Sequence, residues 1–208
     1  MLSVYIMRGI VMLLVIPAHQ AAHAFASYKL GDSTAKNHGR MSLNPVVHFD
    51  PWGALCMILA GIGWAKPVPA NPYLFKNPKR DMAISAATGP LCNLGLAYLG
   101  MIALKVCLLF GLSNQFIPPT YLLTFLSVFI QLNISLAVFN LIPIPPFDGS
   151  RIALLFLPQK LYFQIMQHEQ YLMFGMFILV FTGLLDKPLY FINQTVYSLL
   201  DLMSRFIL

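Results

Sequence analysis

Residues 2–27 read LSVYIMRGIVMLLVIPAHQAAHAFAS, a run whose only formal charge is Arg8 and whose polar groups near its far end are His19, Gln20 and His23. As a helix rising ~1.5 Å per residue, this stretch would be roughly 39 Å long, more than the ~30 Å hydrocarbon core of a bilayer. It therefore predicts a helix that crosses a membrane. The two histidines stand four residues apart, so on such a helix they share one face.

The rest of the chain has the same character. Of its 208 residues 58% are hydrophobic and only 10% are charged, against roughly 25% charged in soluble domains, and the mean hydropathy is +0.72. Residues 28–50 are polar and turn-rich. Residues 51–64 (PWGALCMILAGIGW) are apolar but short, the length of a re-entrant or interfacial segment or of a tilted span extended by its neighbours. Residues 65–82 carry four prolines and predict a loop. Apolar runs at 83–111 and 120–142 predict the second and third spanning helices. The third ends in NLIPIPPFDG, where Pro143, Pro145 and Pro146 stop the helix and free backbone groups that only protein or water can satisfy. Runs at 171–185 and 188–208 predict a helical hairpin around Asp186, Lys187 and Pro188. The expected architecture is an all-α, polytopic membrane protein with one membrane-embedded domain over residues 1–208. It is a bundle of about five to six membrane segments, with a re-entrant or extended cytoplasmic-side region after the first helix.

Charge sets the orientation. Of the 13 Lys and Arg residues, seven (Lys29, Lys36, Arg40, Lys66, Lys76, Lys79 and Arg80) lie between the first two long spans, which places that region in the cytoplasm. Basic loops beside spanning helices set topology in this way, so the net charge of +6 does not imply nucleic-acid binding. Arg8 with the apolar stretch to Ala18 also has the outline of a signal peptide, but a first span in a membrane-embedded chain needs no removal. Cys56, Cys92 and Cys107 are isolated and read as small hydrophobes rather than ligands.

His19 and His23 can present two imidazoles to one metal ion near the cytoplasmic end of the first helix, although two histidines at this spacing also arise as partners of neighbouring carbonyls. Catalytic zinc takes three protein ligands and keeps one position open. The acids available are Asp32, Asp50, Asp81, Asp148, Glu169, Asp186 and Asp201. Only Asp148 follows a membrane helix into a proline-broken turn beside a glycine, and the topology brings it to the leaflet where His23 lies.

Five ordered stretches, HQAAHAFASYKLGD, GRMSLNPVVHFDPWG, GWAKPVPANPYLFKNPKRDM, ATGPLCNL and FNLIPIPPFDGSRI, together resemble the site-2 protease family of intramembrane zinc metalloproteases, in particular its short bacterial members without a PDZ domain. The resemblance implies one Zn²⁺ per chain held by His19, His23 and Asp148, with Asn93 and Asn140 as polar groups near the substrate path. It implies a zinc metalloendopeptidase that hydrolyses peptide bonds within or near the membrane spans of substrate proteins. The enzyme would be a multi-pass protein of the bacterial cell membrane, with its site near the cytoplasmic side. Its partners would be membrane proteins with transmembrane segments, and the lipid bilayer. The extended segment around 41–49 could pair with an unwound substrate strand by backbone hydrogen bonds.

The chain departs from the family at one position. Gln20 stands where the HExxH pattern has its general-base Glu, and an amide keeps the shape and hydrogen-bonding reach of the acid without a site for a proton. The chain as written is therefore expected to bind zinc and substrate without cleaving. The alternative is a natural pseudoprotease that binds membrane helices and never cut them. A transporter or haem protein would need ligands on other helices, and His38, His48 and His168 all fall in polar links.

Overall fold

The computed structural model describes residues 2–52, 65–114 and 120–207 and is all-helical there, with no strand among the described residues. The short apolar run at 51–64 falls almost entirely outside them. Helix α1 (Leu2–Lys29) is a single element that passes through Pro17 without a break. The pyrrolidine is fully buried, and its missing N–H costs the helix one bond rather than ending it.

The polar region after α1 is tied together by side chains acting on backbone. It contains α2 (Thr34–Asn37), α3 (Pro45–His48) and a 3₁₀ turn at Pro72–Leu74. Asp32 is fully buried. One of its carboxylate oxygens accepts from the Thr34 N–H at 2.9 Å and the other from the Asn71 N–H at 2.8 Å. Arg40, also buried, donates to the carbonyls of Val47, Lys66 and Pro67. Of the region around 41–49, expected to be extended, residues 45–48 form a turn of helix capped by the Asn44 side chain. Residues 41–44 and Phe49 lie outside that turn.

Helix α4 (Pro78–Asn114) begins earlier than the expected 83 and shortens the loop to 65–77. Pro78 explains the difference, because proline is well placed at the first position of a helix, where its N–H would be unpaired anyway. Asp81 secures that start by accepting from the Asn77 N–H at 3.0 Å. Helix α5 (Thr120–Asn140) stops two residues short of the expected 142.

Helix α4 packs against both α1 and α5, and α5 also touches α1. Val11 and Val15 of α1 meet Val128 of α5, flanked by Phe125, Phe129, Leu132 and Leu136. On the other side of α5, Ala97 and Met101 of α4 join Ile130, Ile134 and Val138. Gly100 lets these two helices approach closely: a Cβ there would come within 3.0 Å of the Phe129 ring. Small residues at such crossings admit close van der Waals packing, which drives helix association where lipid removes the hydrophobic incentive.

After α5 the chain turns through the three prolines into α6 (Asp148–Ala153), followed by a 3₁₀ turn at Leu154–Phe156 and α7 (Gln159–Gln167). Helices α8 (Glu169–Phe181) and α9 (Asp186–Met203) complete the chain. They meet at 86° rather than as the expected hairpin. The turn is made at Gly183, whose φ of +69° is a conformation that glycine adopts readily, while Pro188 sits in the first turn of α9 and interrupts nothing. Against the five to six segments expected, the described residues hold three helices long and apolar enough to cross a membrane, α1, α4 and α5, or four if the bent α8–α9 pair is one broken span.

Helix α9 docks on α4 and α5 through Leu200 and the partly buried Leu189, Val196 and Tyr197. It is also held by Lys105, whose Nζ lies 2.9 Å from Asp201 Oδ1 and donates to the Asp201 carbonyl at 3.0 Å.

Candidate metal centre

Three side chains from two elements remote in sequence deliver one atom each to a single point. His19 and His23 project from the last third of α1, and Asp148 is the first residue of α6. The two Nε2 atoms are 2.9 Å apart, and each lies 3.2 Å from Asp148 Oδ2. Both histidines are buried, and the aspartate is partly so. The sequence places the histidines on one helical face; the turn after α5 supplies the acid.

That turn is built by its own residues. Pro143, Pro145 and Pro146 have no N–H to continue α5. The Phe139 and Phe147 rings pack edge to face across the turn at 4.5 Å, and the Phe147 carbonyl accepts from both the N–H and the hydroxyl of Ser150. At Gly149 the chain doubles back so closely that a Cβ would sit 2.2 Å from the Leu141 carbonyl oxygen. Only glycine fits there, which is why Asp148 is followed by one.

Helix α4 forms the wall behind the histidines with Ser85, Gly89 and Asn93, spaced at i, i+4 and i+8 along one face. The pairings run antiparallel: His23 Nδ1 faces the Ser85 carbonyl at 2.8 Å, and His19 faces the Asn93 amide at 3.0 Å. The hydroxyls of Ser27 and Ser85 share a hydrogen bond at 2.8 Å. Between them, a Cβ on Gly89 would lie 2.3 Å from His23 Nε2 and 2.6 Å from His19 Cε1. The absence of a side chain at 89 thus makes the room the imidazoles occupy.

The donor set fits a cation. Because His23 Nδ1 points at a carbonyl, it carries the ring proton, and Nε2 presents a lone pair. Asp148 Oδ2 is buried and has no hydrogen-bond donor. As a metal ligand it would act in its ionised form. Three electron-rich atoms within about 3 Å of one another repel unless positive charge lies among them. One shared proton satisfies two of the atoms but not the third. Tetrahedral zinc with bonds of about 2.0–2.1 Å separates its ligand atoms by roughly 3.3 Å, close to the spacings seen.

The other residues singled out from the sequence fall into place around this point. Asn93 is fully buried, and its amide contacts His19. Asn140, half-buried at the end of α5, donates to the Leu136 carbonyl of its own helix at 2.9 Å. Gln20 is half-buried beside His19. His38, His48 and His168 each bond a nearby carbonyl, of Thr34, Ser42 and Gln164. Among the described residues the only grouping of three or more metal-binding side chains is His19, His23 and Asp148. Sequence reading missed Gly89 as a spacer and Ser85 as a partner; their four-residue spacing with Asn93 was the available signal.

A helical fold with two histidines from one membrane-length helix and an aspartate from a turn after another has the arrangement of a membrane-embedded metal centre. Comparison with known proteins agrees. The profile of peptidase family M50 matches residues 114–182, the part that carries Asp148. YwhC of Bacillus subtilis, named as a zinc metalloprotease, is 41% identical over 153 residues, which are 74% of this chain and 70% of that protein. Rip2 of Mycolicibacterium smegmatis, also named as a zinc metalloprotease, is 28% identical over 141 residues, 63% of this chain and 49% of that protein. No solved structure matches the chain. The chain belongs to peptidase family M50, the site-2 protease family of zinc metalloproteases.

Proposed function

We propose that this chain is an intramembrane zinc endopeptidase whose present form holds zinc and substrate but does not cut. The observation that carries the reading is the convergence of His19 Nε2, His23 Nε2 and Asp148 Oδ2 at the ends of membrane-length helices. These three residues would hold the ion. Zinc, when bound, supplies Lewis acidity toward a peptide carbonyl and a water nucleophile at neutral pH.

The protein's own residues do the rest. Ser85 fixes the ring of His23 through a backbone carbonyl that no side-chain substitution removes. Gln20, one residue past His19, can orient a water through its amide but has no basic oxygen to take the proton or return it to the leaving amine. The substrates would be membrane proteins cut within or beside a span. A helical segment shields its carbonyls in its own hydrogen bonds, so cleavage would favour spans with helix-weakening residues near the cut. The basic region between α1 and α4 supports a site near the cytoplasmic face of a bacterial cell membrane.

Gln20 also supports a second reading, a natural pseudoprotease that binds membrane helices. One substitution separates the two. Gln20→Glu, purified with zinc and mixed with a membrane substrate in vesicles, should gain about 10²- to 10⁴-fold in cleavage rate, the range supplied by a positioned acid-base group. A zinc-loaded Gln20→Glu protein that stays inert on substrates of active relatives favours the pseudoprotease.

A further inference from the structure

The two histidines are held from behind in different ways. His23 Nδ1 faces a backbone carbonyl, whereas His19 Nδ1 faces the side-chain amide of Asn93 at 3.0 Å. Asn93 is fully buried on α4, and its Oδ1 has no hydrogen-bond partner while its Nδ2 is the atom turned toward the ring. Amide oxygen and nitrogen are exchanged by a half-turn of the group, so the choice follows from the hydrogen-bonding network. With Nδ2 toward the ring, His19 Nδ1 must accept, its proton must move to Nε2, and that proton would point at His23 Nε2 and Asp148 Oδ2. With Oδ1 toward the ring, Nδ1–H donates and Nε2 is free as a ligand atom, while the amide nitrogen takes the buried place of the oxygen.

We infer that Asn93 is a positioning residue that acts through its carbonyl oxygen, fixing His19 in the tautomer that turns Nε2 toward the metal position. The inference rests on the reading of His19, His23 and Asp148 as zinc ligands. The backbone carbonyl of Gly89 also faces the His19 ring, so the amide shares this task and its loss weakens the site rather than abolishing it. Outer partners of metal-bound histidine typically contribute about 10–100-fold in affinity.

The test is zinc affinity of the full chain in detergent micelles, measured by competition with a chromophoric chelator, for the parent, Asn93→Leu, Asn93→Asp and His19→Ala. Asn93→Leu should bind zinc about 10–100-fold more weakly. Asn93→Asp, whose ionised carboxylate can only accept, should restore binding to near the parental value. Parental affinity in Asn93→Leu, or Asn93→Asp as weak as Asn93→Leu, overturns the inference. Should Asn93→Leu fail to fold, ¹⁵N NMR of histidine-labelled parent decides. A proton on Nδ1 of His19 supports the assignment, and a proton on Nε2 in the metal-free protein overturns it. If the parent takes up no zinc, or His19→Ala binds as well as the parent, the ligand reading itself has failed and the inference falls with it. Stoichiometric parental binding that is lost only in His19→Ala sinks the role of Asn93 alone.

Discussion

Lys105 and Asp201 bring a cation and an anion together at 2.9 Å between two helices, whereas His19, His23 and Asp148 bring together three acceptor atoms and no cation. Both groups join polar side chains from different helices of an apolar bundle, where an unmatched charge is expensive. The first is complete within the chain and pins α9 to α4. On the zinc reading proposed above, the second is completed by positive charge from outside. A polar cluster that neutralises itself is a fastener, and one that leaves a deficit is a binding site.

Removing groups from each cluster separates the two. Asp148→Ala takes away the anion of the deficient cluster and should lower zinc affinity by more than the roughly 10–100-fold typical of an outer-shell loss, read by metal content after dialysis. Retention of one zinc per chain would show that the ion is held elsewhere. Gly89→Ala leaves every ligand in place but puts a methyl where the imidazoles lie. Overpacking of this kind costs about 1–3 kcal/mol, or about one to two decades of zinc affinity; unchanged binding would mean that α4 is free to move back. Lys105→Met should leave zinc binding intact and lower stability by about 1–3 kcal/mol, between the values for exposed and buried pairs, because Asp201 is 38% exposed and can rehydrate. Lys105→Met with Asp201→Leu should recover most of that loss. A fall in zinc affinity in the lysine variant would contradict the division between fastener and site.

Much of the site could be read from the sequence because its rules are local. The histidine pair follows from helical spacing, and Asp148 from prolines and a glycine that break a helix at one place. What the sequence did not yield depends on contacts between helices. Gly89 looks like any small residue of a membrane span until α1 is laid against it. Nothing local shows that the amide of Asn93 meets His19. Lys105 stands out as the lone charge in its apolar run, but its partner lies 96 residues away on a helix whose course depends on the bend at Gly183. The course of the last two runs, 171–185 and 188–208, was hidden for a similar reason: together they are long and apolar enough to cross, but the chain turns through 86° between them.

The order of the ligands along the chain has a consequence for biosynthesis. His19 and His23 leave the ribosome with the first span, but Asp148 follows only after α4 and α5 have been made and the proline turn has closed. Until then the nascent chain offers an incoming ion two imidazoles and no carboxylate. On the zinc reading proposed above, capture by all three ligands would wait until α5 and its turn are in place, and a chain truncated before Asp148 would stay a poor zinc binder. In an active relative of the same design, the enzyme would be unarmed while still under construction.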